Sequence, residues 1–140
     1  MSDAALGRLR VTFVAPPVGM SGGIKVMAIY AKMLAELGHR VVVVSPPSAP
    51  ISFKKKLKHW LKNQEWPVRE PLVSHLDGLG LDHRVLNAHR PVTNKDLPDA
   101  DVVIATWWET AEWVNALSSS KGKKIYFIQG HEVFDFLPKE

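Results

Sequence analysis

Three short stretches hold the groups best suited to chemistry: "GMSGGIKV" (residues 19–26), "TWWET" (106–110) and "QGHEVF" (129–134). Gly19, Gly22 and Gly23 precede an apolar run of helical period, and bare backbone there lets an anion reach the free N–H groups of a helix start. Turn chemistry alone is the competing account, and the two stay open at this point. In the second stretch Thr106 and Glu109 have capping-box spacing, which expects structural duty of Thr106 and leaves Glu109 open. Trp107 and Trp108 are adjacent, so one of them is expected to face a cleft or solvent, where an indole can stack on a sugar ring or base. The third stretch sets His131 and Glu132 just past an apolar run, where a histidine can hydrogen-bond a ligand hydroxyl.

Several chemistries are disfavoured by the same residues. A dinucleotide fingerprint needs G-x-G-x-x-G and an acid ending the second strand; here the spacing is G-x-x-G-G and that strand ends in Ser45-Pro46. A P-loop needs G-K-[ST], whereas Gly23 is followed by Ile24-Lys25-Val26. There is no G-x-S-x-G elbow, and His39, His59, His75, His83 and His89 lack ligand spacing, so no metal is expected. The absence of cysteine excludes disulfides and thiolate chemistry and agrees with a reducing compartment.

The elements that must position these groups follow from periodicity. The runs "RVTFVA" (10–15), "RVVVVS" (40–45), "ADVVIAT" (100–106) and "KIYFIQ" (124–129) read as strands. Four consecutive valines imply burial on both faces, as in a parallel sheet covered by helices. Between the first two, Ile24, Met27, Tyr30, Ala31, Leu34 and Leu37 recur at helical steps, with Gly38 as the stop. A second helix is expected over 108–117, and the proline-rich 67–98 stretch is expected to hold one or two short strands, with "HRVLN" (83–87) among the candidates. The fold class expected is α/β, a Rossmann-like three-layer sandwich with a mainly parallel sheet, whose ligands bind beyond the carboxyl ends of the strands. Residues 1–140 are expected to form one domain; 46% hydrophobic residues suffice for a core.

The net charge is +4 and the pI near 9.4. The distribution decides what that means. Lys54, Lys55, Lys56, Lys58 and Lys62 stand against Glu65 alone between residues 52 and 66, an excess equal to that of the whole chain. The remainder is balanced, and nothing resembles a nucleic-acid fold, so nucleic acid is not expected as a partner. Phe53, Leu57, Trp60 and Leu61 share one side of a short helix there, which suits an anionic membrane surface; a solvated loop packing its apolar residues on the domain is the alternative. The opening residues form no secretory signal and no apolar run reaches the roughly 20 residues of a membrane span, so a soluble cytoplasmic protein, peripheral on the inner face of the membrane, is expected.

Taken together, "GGIKVMAIYAKMLAELGHRVVVVSP" resembles the first glycine loop, helix and second strand of the family 4 glycosyltransferases, which have the GT-B fold. "DADVVIATWWETAEWV" and "KKIYFIQGHEVF" are similar to later strands of the same N-terminal half in bacterial surface-polysaccharide transferases. The resemblance implies a retaining, metal-independent hexosyltransferase that moves a sugar from a nucleotide-sugar donor to a polysaccharide or lipid-linked acceptor. It places Gly22 and Gly23, with Gly19, against the donor diphosphate, makes His131 the catalytic contact to the donor sugar, and puts Trp108, Glu109 and Glu132 on the acceptor side. No cofactor is implied; the nucleotide sugar is a substrate.

Family members carry a second Rossmann-like domain that holds the nucleotide, and the present sequence ends at Glu140 without it. The expectation is therefore an N-terminal, acceptor-side half that needs a C-terminal nucleotide-binding domain as partner and is inactive alone. The alternative is a non-catalytic binding or regulatory module for a phosphorylated or lipid-linked partner.

Overall fold

The computed structural model describes residues 7–67 and 73–130. Five strands, β1 (Arg10–Val14), β2 (Arg40–Ser45), β3 (Asp82–Val85), β4 (Val102–Ala105) and β5 (Lys123–Tyr126), form one sheet in the order β3-β2-β1-β4-β5. Every neighbouring pair is parallel, with Val11 opposite both Val41 and Val102. The chain builds outward from β1 on one side and returns to build on the other, so the strand order reverses between β1 and β4.

Period-two alternation splits the strand side chains between two cores. Val11, Phe13, Val41 and Val43 pack under helix α1 (Gly22–Glu36) through Ile24, Met27, Ala28 and Ala31. Val14, Val42, Val44, Val103 and Ala105 face the other way, where Val114 of helix α3 (Trp108–Asn115) joins Val92, Leu97 and Leu117. The valine run of β2 is thus shared between both cores, and the result is the expected three-layer α/β sandwich.

The buried stripe of α1 is narrower than its apolar spacing suggested. Tyr30 and Leu37 are exposed, at 48% and 72%. Consecutive three-residue steps, from Ile24 to Met27 to Tyr30, each fall short of a turn by about 60°, so the third residue has walked off the core face. Leu37 lies beyond the helix as its C-cap, and Gly38 follows with φ +93°.

The 67–98 stretch contributes one strand among its described residues, β3, which includes His83. The turn expected at "SSSKGK" contains a short 3₁₀ helix, Ser119–Lys121, and then Gly122. Gly122 has φ +102°, and a Cβ there would stand 2.5 Å from the carbonyl carbon of Asp101. Only glycine lets the chain enter β5 so close to the start of β4. The remaining helix, α2 (Phe53–Asn63), is capped by Ser52 and ended by Gln64 in the left-handed conformation, and it buries none of its residues.

Candidate functional site

A cleft of about 400 Å³ opens beyond the carboxyl ends of β1, β4 and β5, on the strand-reversal line between β1 and β4. Open parallel sheets bind ligands at this place, because the loops of neighbouring strands part there toward opposite faces. Pro16 from the β1 loop, Ser21, Gly23 and Ile24 from the start of α1, Thr106 and Trp107 from the β4 loop, and Gln129 beyond β5 line it.

The α1 side of the cleft is polar backbone. Ser21 is the N-cap, its hydroxyl accepting from the amide of Ile24 at 3.4 Å, while its carbonyl takes the amide of Lys25. The amides of Gly22 and Gly23 have no acceptor among the described residues. No acidic side chain occupies the first turn, so that turn itself supplies no carboxylate to the positive end of the helix dipole. Lys25 lines a separate depression with Lys32 and His75, so it does not serve this cleft as a P-loop lysine would.

The glycines themselves discriminate between the two accounts given for them. None of Gly19, Gly22 and Gly23 has positive φ, and a Cβ on Gly19 or Gly22 would meet nothing within 4 Å among the described residues. Turn geometry therefore does not require glycine at these positions. Gly23 faces the side chain of Gln129 across the cleft. Gly22 is exposed at the helix start, and Gly19 lies aside from the cleft lining, its carbonyl accepting from the amide of His75.

The β4 loop departs from its expected wiring. Thr106 is not the cap of α3: its hydroxyl donates across the sheet to the carbonyl of Val14 at 3.1 Å. The N-cap is Trp107. The hydroxyl of Thr110 accepts from the amides of Trp107, at 2.9 Å, and Thr106, at 3.1 Å, and donates to the carbonyl of Trp107. Glu109 is thereby relieved of any capping duty and has no side-chain partner among the described residues. Of the two tryptophans, Trp107 lines the cleft, whereas Trp108 has its indole nitrogen buried. Of the pair, Trp107 is thus the one whose position lines the cleft.

Compared with known proteins, the chain matches no family model, no curated protein and no solved structure.

His131 and Glu132 lie outside the described residues. Gln129, two residues before His131, is part of the cleft wall. Ser21 and Gln129 are cleft residues that the sequence reading did not single out. Ser21 had a visible signal, a serine immediately before a helical repeat. Gln129 had only its place past the last strand. Lys54, Lys55, Lys56 and Lys58 are all on α2, away from the cleft lining. No three His, Asp or Glu side chains gather as a metal site among the described residues.

Proposed function

We propose that the chain is the N-terminal, acceptor-side half of a retaining glycosyltransferase that moves a sugar from a nucleotide-sugar donor to a glycan or lipid-linked acceptor. The observation that carries the reading is Gly23 in the cleft lining, with Gly22 beside it at the helix start, neither required by turn geometry and both with amides that have no acceptor among the described residues. Bare backbone at a positive dipole end suits the diphosphate of a sugar nucleotide. Trp107 offers a stacking face on the opposite wall. Transfer would be aided chiefly by neutralising charge on the departing diphosphate, with His131 touching the sugar and Glu109 and Glu132 facing the acceptor. The nucleotide and most donor contacts belong to a second Rossmann-like half, so this chain alone transfers nothing and binds the donor weakly.

The test is an amide-resolved NMR titration with UDP- and GDP-sugars and with pyrophosphate. Shifts should concentrate on residues 21–24 and the Trp107 indole at millimolar ligand and vanish in Gly23→Val. Micromolar binding by this chain alone would overturn the division of labour, and shifts elsewhere would overturn the cleft assignment. The same helix start would also serve a binding module for a phosphorylated partner. Joining the chain to a GT-B C-terminal half and assaying hexose transfer separates the two readings.

A further inference from the structure

We propose that α2 is a docking surface for an anionic phospholipid bilayer. At about 100° per residue, Phe53, Leu57, Trp60 and Leu61 fall within an arc of roughly 100° on one side of this helix. An apolar stripe of that width ordinarily packs on the helix's own domain. Here it does not: Phe53 is 69% exposed, Leu61 67%, Trp60 46% and Leu57 39%. Ile51 before the helix and Trp66 after it are exposed as well. The helix contains five lysines and no acid, and none of the lysines has an ion-pair partner among the described residues.

The arrangement of charge selects the occupant. Lys54 and Lys56 border the stripe on either side, Lys58 lies at its flank, and Lys55 and Lys62 turn to the opposite face, on the same angular count of about 100° per residue. A second copy of the helix would bring five more lysines against these five and repel. Nucleic acid would engage the lysines and leave Phe53, Trp60 and Leu61 bare. A bilayer accepts both: the rings and leucines enter the headgroup boundary while the bordering ammonium groups reach lipid phosphates. The loop into α2 leaves the carboxyl end of β2, the same sheet edge as the cleft, so docking turns that edge toward the membrane. Vesicle binding needs neither donor nor acceptor, so the proposal stands apart from the transferase reading.

Co-sedimentation of the full chain with phosphatidylcholine vesicles, with and without phosphatidylglycerol, is the test. Binding should require phosphatidylglycerol and fall steeply between about 0.01 M and about 1 M salt, as the Debye length shrinks from roughly 30 Å to roughly 3 Å. Lys54→Gln with Lys56→Gln should weaken partition about 25-fold, about fivefold for each lysine near the surface. The far-face pair Lys55→Gln with Lys62→Gln should weaken it no more than about threefold, since those charges sit about a helix diameter, 10 Å, from the lipid. Phe53→Ser with Trp60→Ser should abolish binding at every salt concentration while leaving the circular dichroism spectrum unchanged. Equal binding to both vesicle types, equal loss from the two lysine pairs, or a dimer that dissociates in the Phe53→Ser/Trp60→Ser variant would each overturn the proposal.

Discussion

The side-chain oxygen Oε1 of Gln129 stands 3.4 Å from the point that a Cβ on Gly23 would occupy. That separation is ordinary contact with the free end of a flexible side chain, so a small side chain on Gly23 would narrow the cleft without displacing any backbone. Gly23 also lies inside α1, where glycine costs conformational entropy. Gly23→Ala is therefore expected to leave stability unchanged or to raise it by about 0.5–1 kcal/mol. Gly23→Val should fold as well but project bulk at the unpaired amides and remove ligand-induced shifts there. Thermal melts beside NMR titrations check both. A fall in melting temperature for both variants would make the glycine structural.

Gly122 is the opposite case. Its φ of +102° is strained for any side chain, and a Cβ would press on the Asp101–Val102 peptide, whose atoms are backbone and cannot move aside. Gly122→Ala should lose more than about 3 kcal/mol, the sum of left-handed strain and overpacking. Urea unfolding measures it directly. A loss of less than about 1 kcal/mol would mean that the β4 to β5 approach relaxes freely.

These two glycines also mark what a reader of the sequence could and could not see. β1, β2 and β4 were legible because burial on both faces writes itself as an unbroken apolar run, and α1 because its core face repeats. The α3 cap was misread by one residue for a reason no local window contains: the hydroxyl of Thr106 is taken by Val14, 92 residues earlier in the chain. The exposure of α2 was equally invisible, since the same amphipathic pattern serves a helix packed on its domain. Gly122 reads as a turn residue in "SSSKGK", and only the neighbouring strand reveals that its missing Cβ is what matters.

The pH dependence of stability should show a loss that sets in near pH 6.5, where an unfolded histidine begins to take up its proton. His83 on β3 is half-buried beside the fully buried Ser45, its Nε2 2.8 Å from the serine hydroxyl, and burial holds its pKa below the usual 6.5 although Asp77 and Asp82 pull the other way. A base with a depressed folded pKa takes up its proton more readily when unfolded, so its stabilisation is present above about pH 6.5 and is lost as pH falls through the folded value. The second loss comes lower. Arg90 and Thr93 hold the Asp96 carboxyl well below its ordinary range, and the Arg10 guanidinium lowers Asp101 to about 2, so these groups stabilise the fold above about pH 4 and cease to do so on further acidification. Urea midpoints followed from pH 7.5 to 3 should therefore fall in two stages. His83→Gln should flatten only the first. An unaltered profile in that variant would remove His83 from the account.

Two threonines of one sheet face and one helix start should respond to the same substitution with opposite signs. Thr12 is 1% exposed in the middle of β1, and its hydroxyl has no partner among the described residues, so it bears the cost of desolvation without a hydrogen bond in return. Thr12→Val keeps the shape, removes that cost and is expected to stabilise by about 1 kcal/mol. The hydroxyl of Thr110 is fully engaged, accepting from the amides of Thr106 and Trp107 and donating to the Trp107 carbonyl. Thr110→Val deprives the Trp107 amide of this acceptor, while the Thr106 amide keeps the carbonyl of Val14 at 3.3 Å, with an expected loss of about 1–2 kcal/mol. It should also loosen Trp107, which is held at the cleft by that hydroxyl, and this is read as broadening of the Trp107 indole resonance. Glu109→Ala is the control: if Glu109 were the capping partner, that variant would lose stability alongside Thr110→Val, whereas a cap made by Thr110 leaves it within about 0.5 kcal/mol of wild type. Destabilisation by Thr12→Val would show that its hydroxyl is satisfied after all, and retention of stability in Thr110→Val would return the start of α3 to the Thr106 and Glu109 pairing.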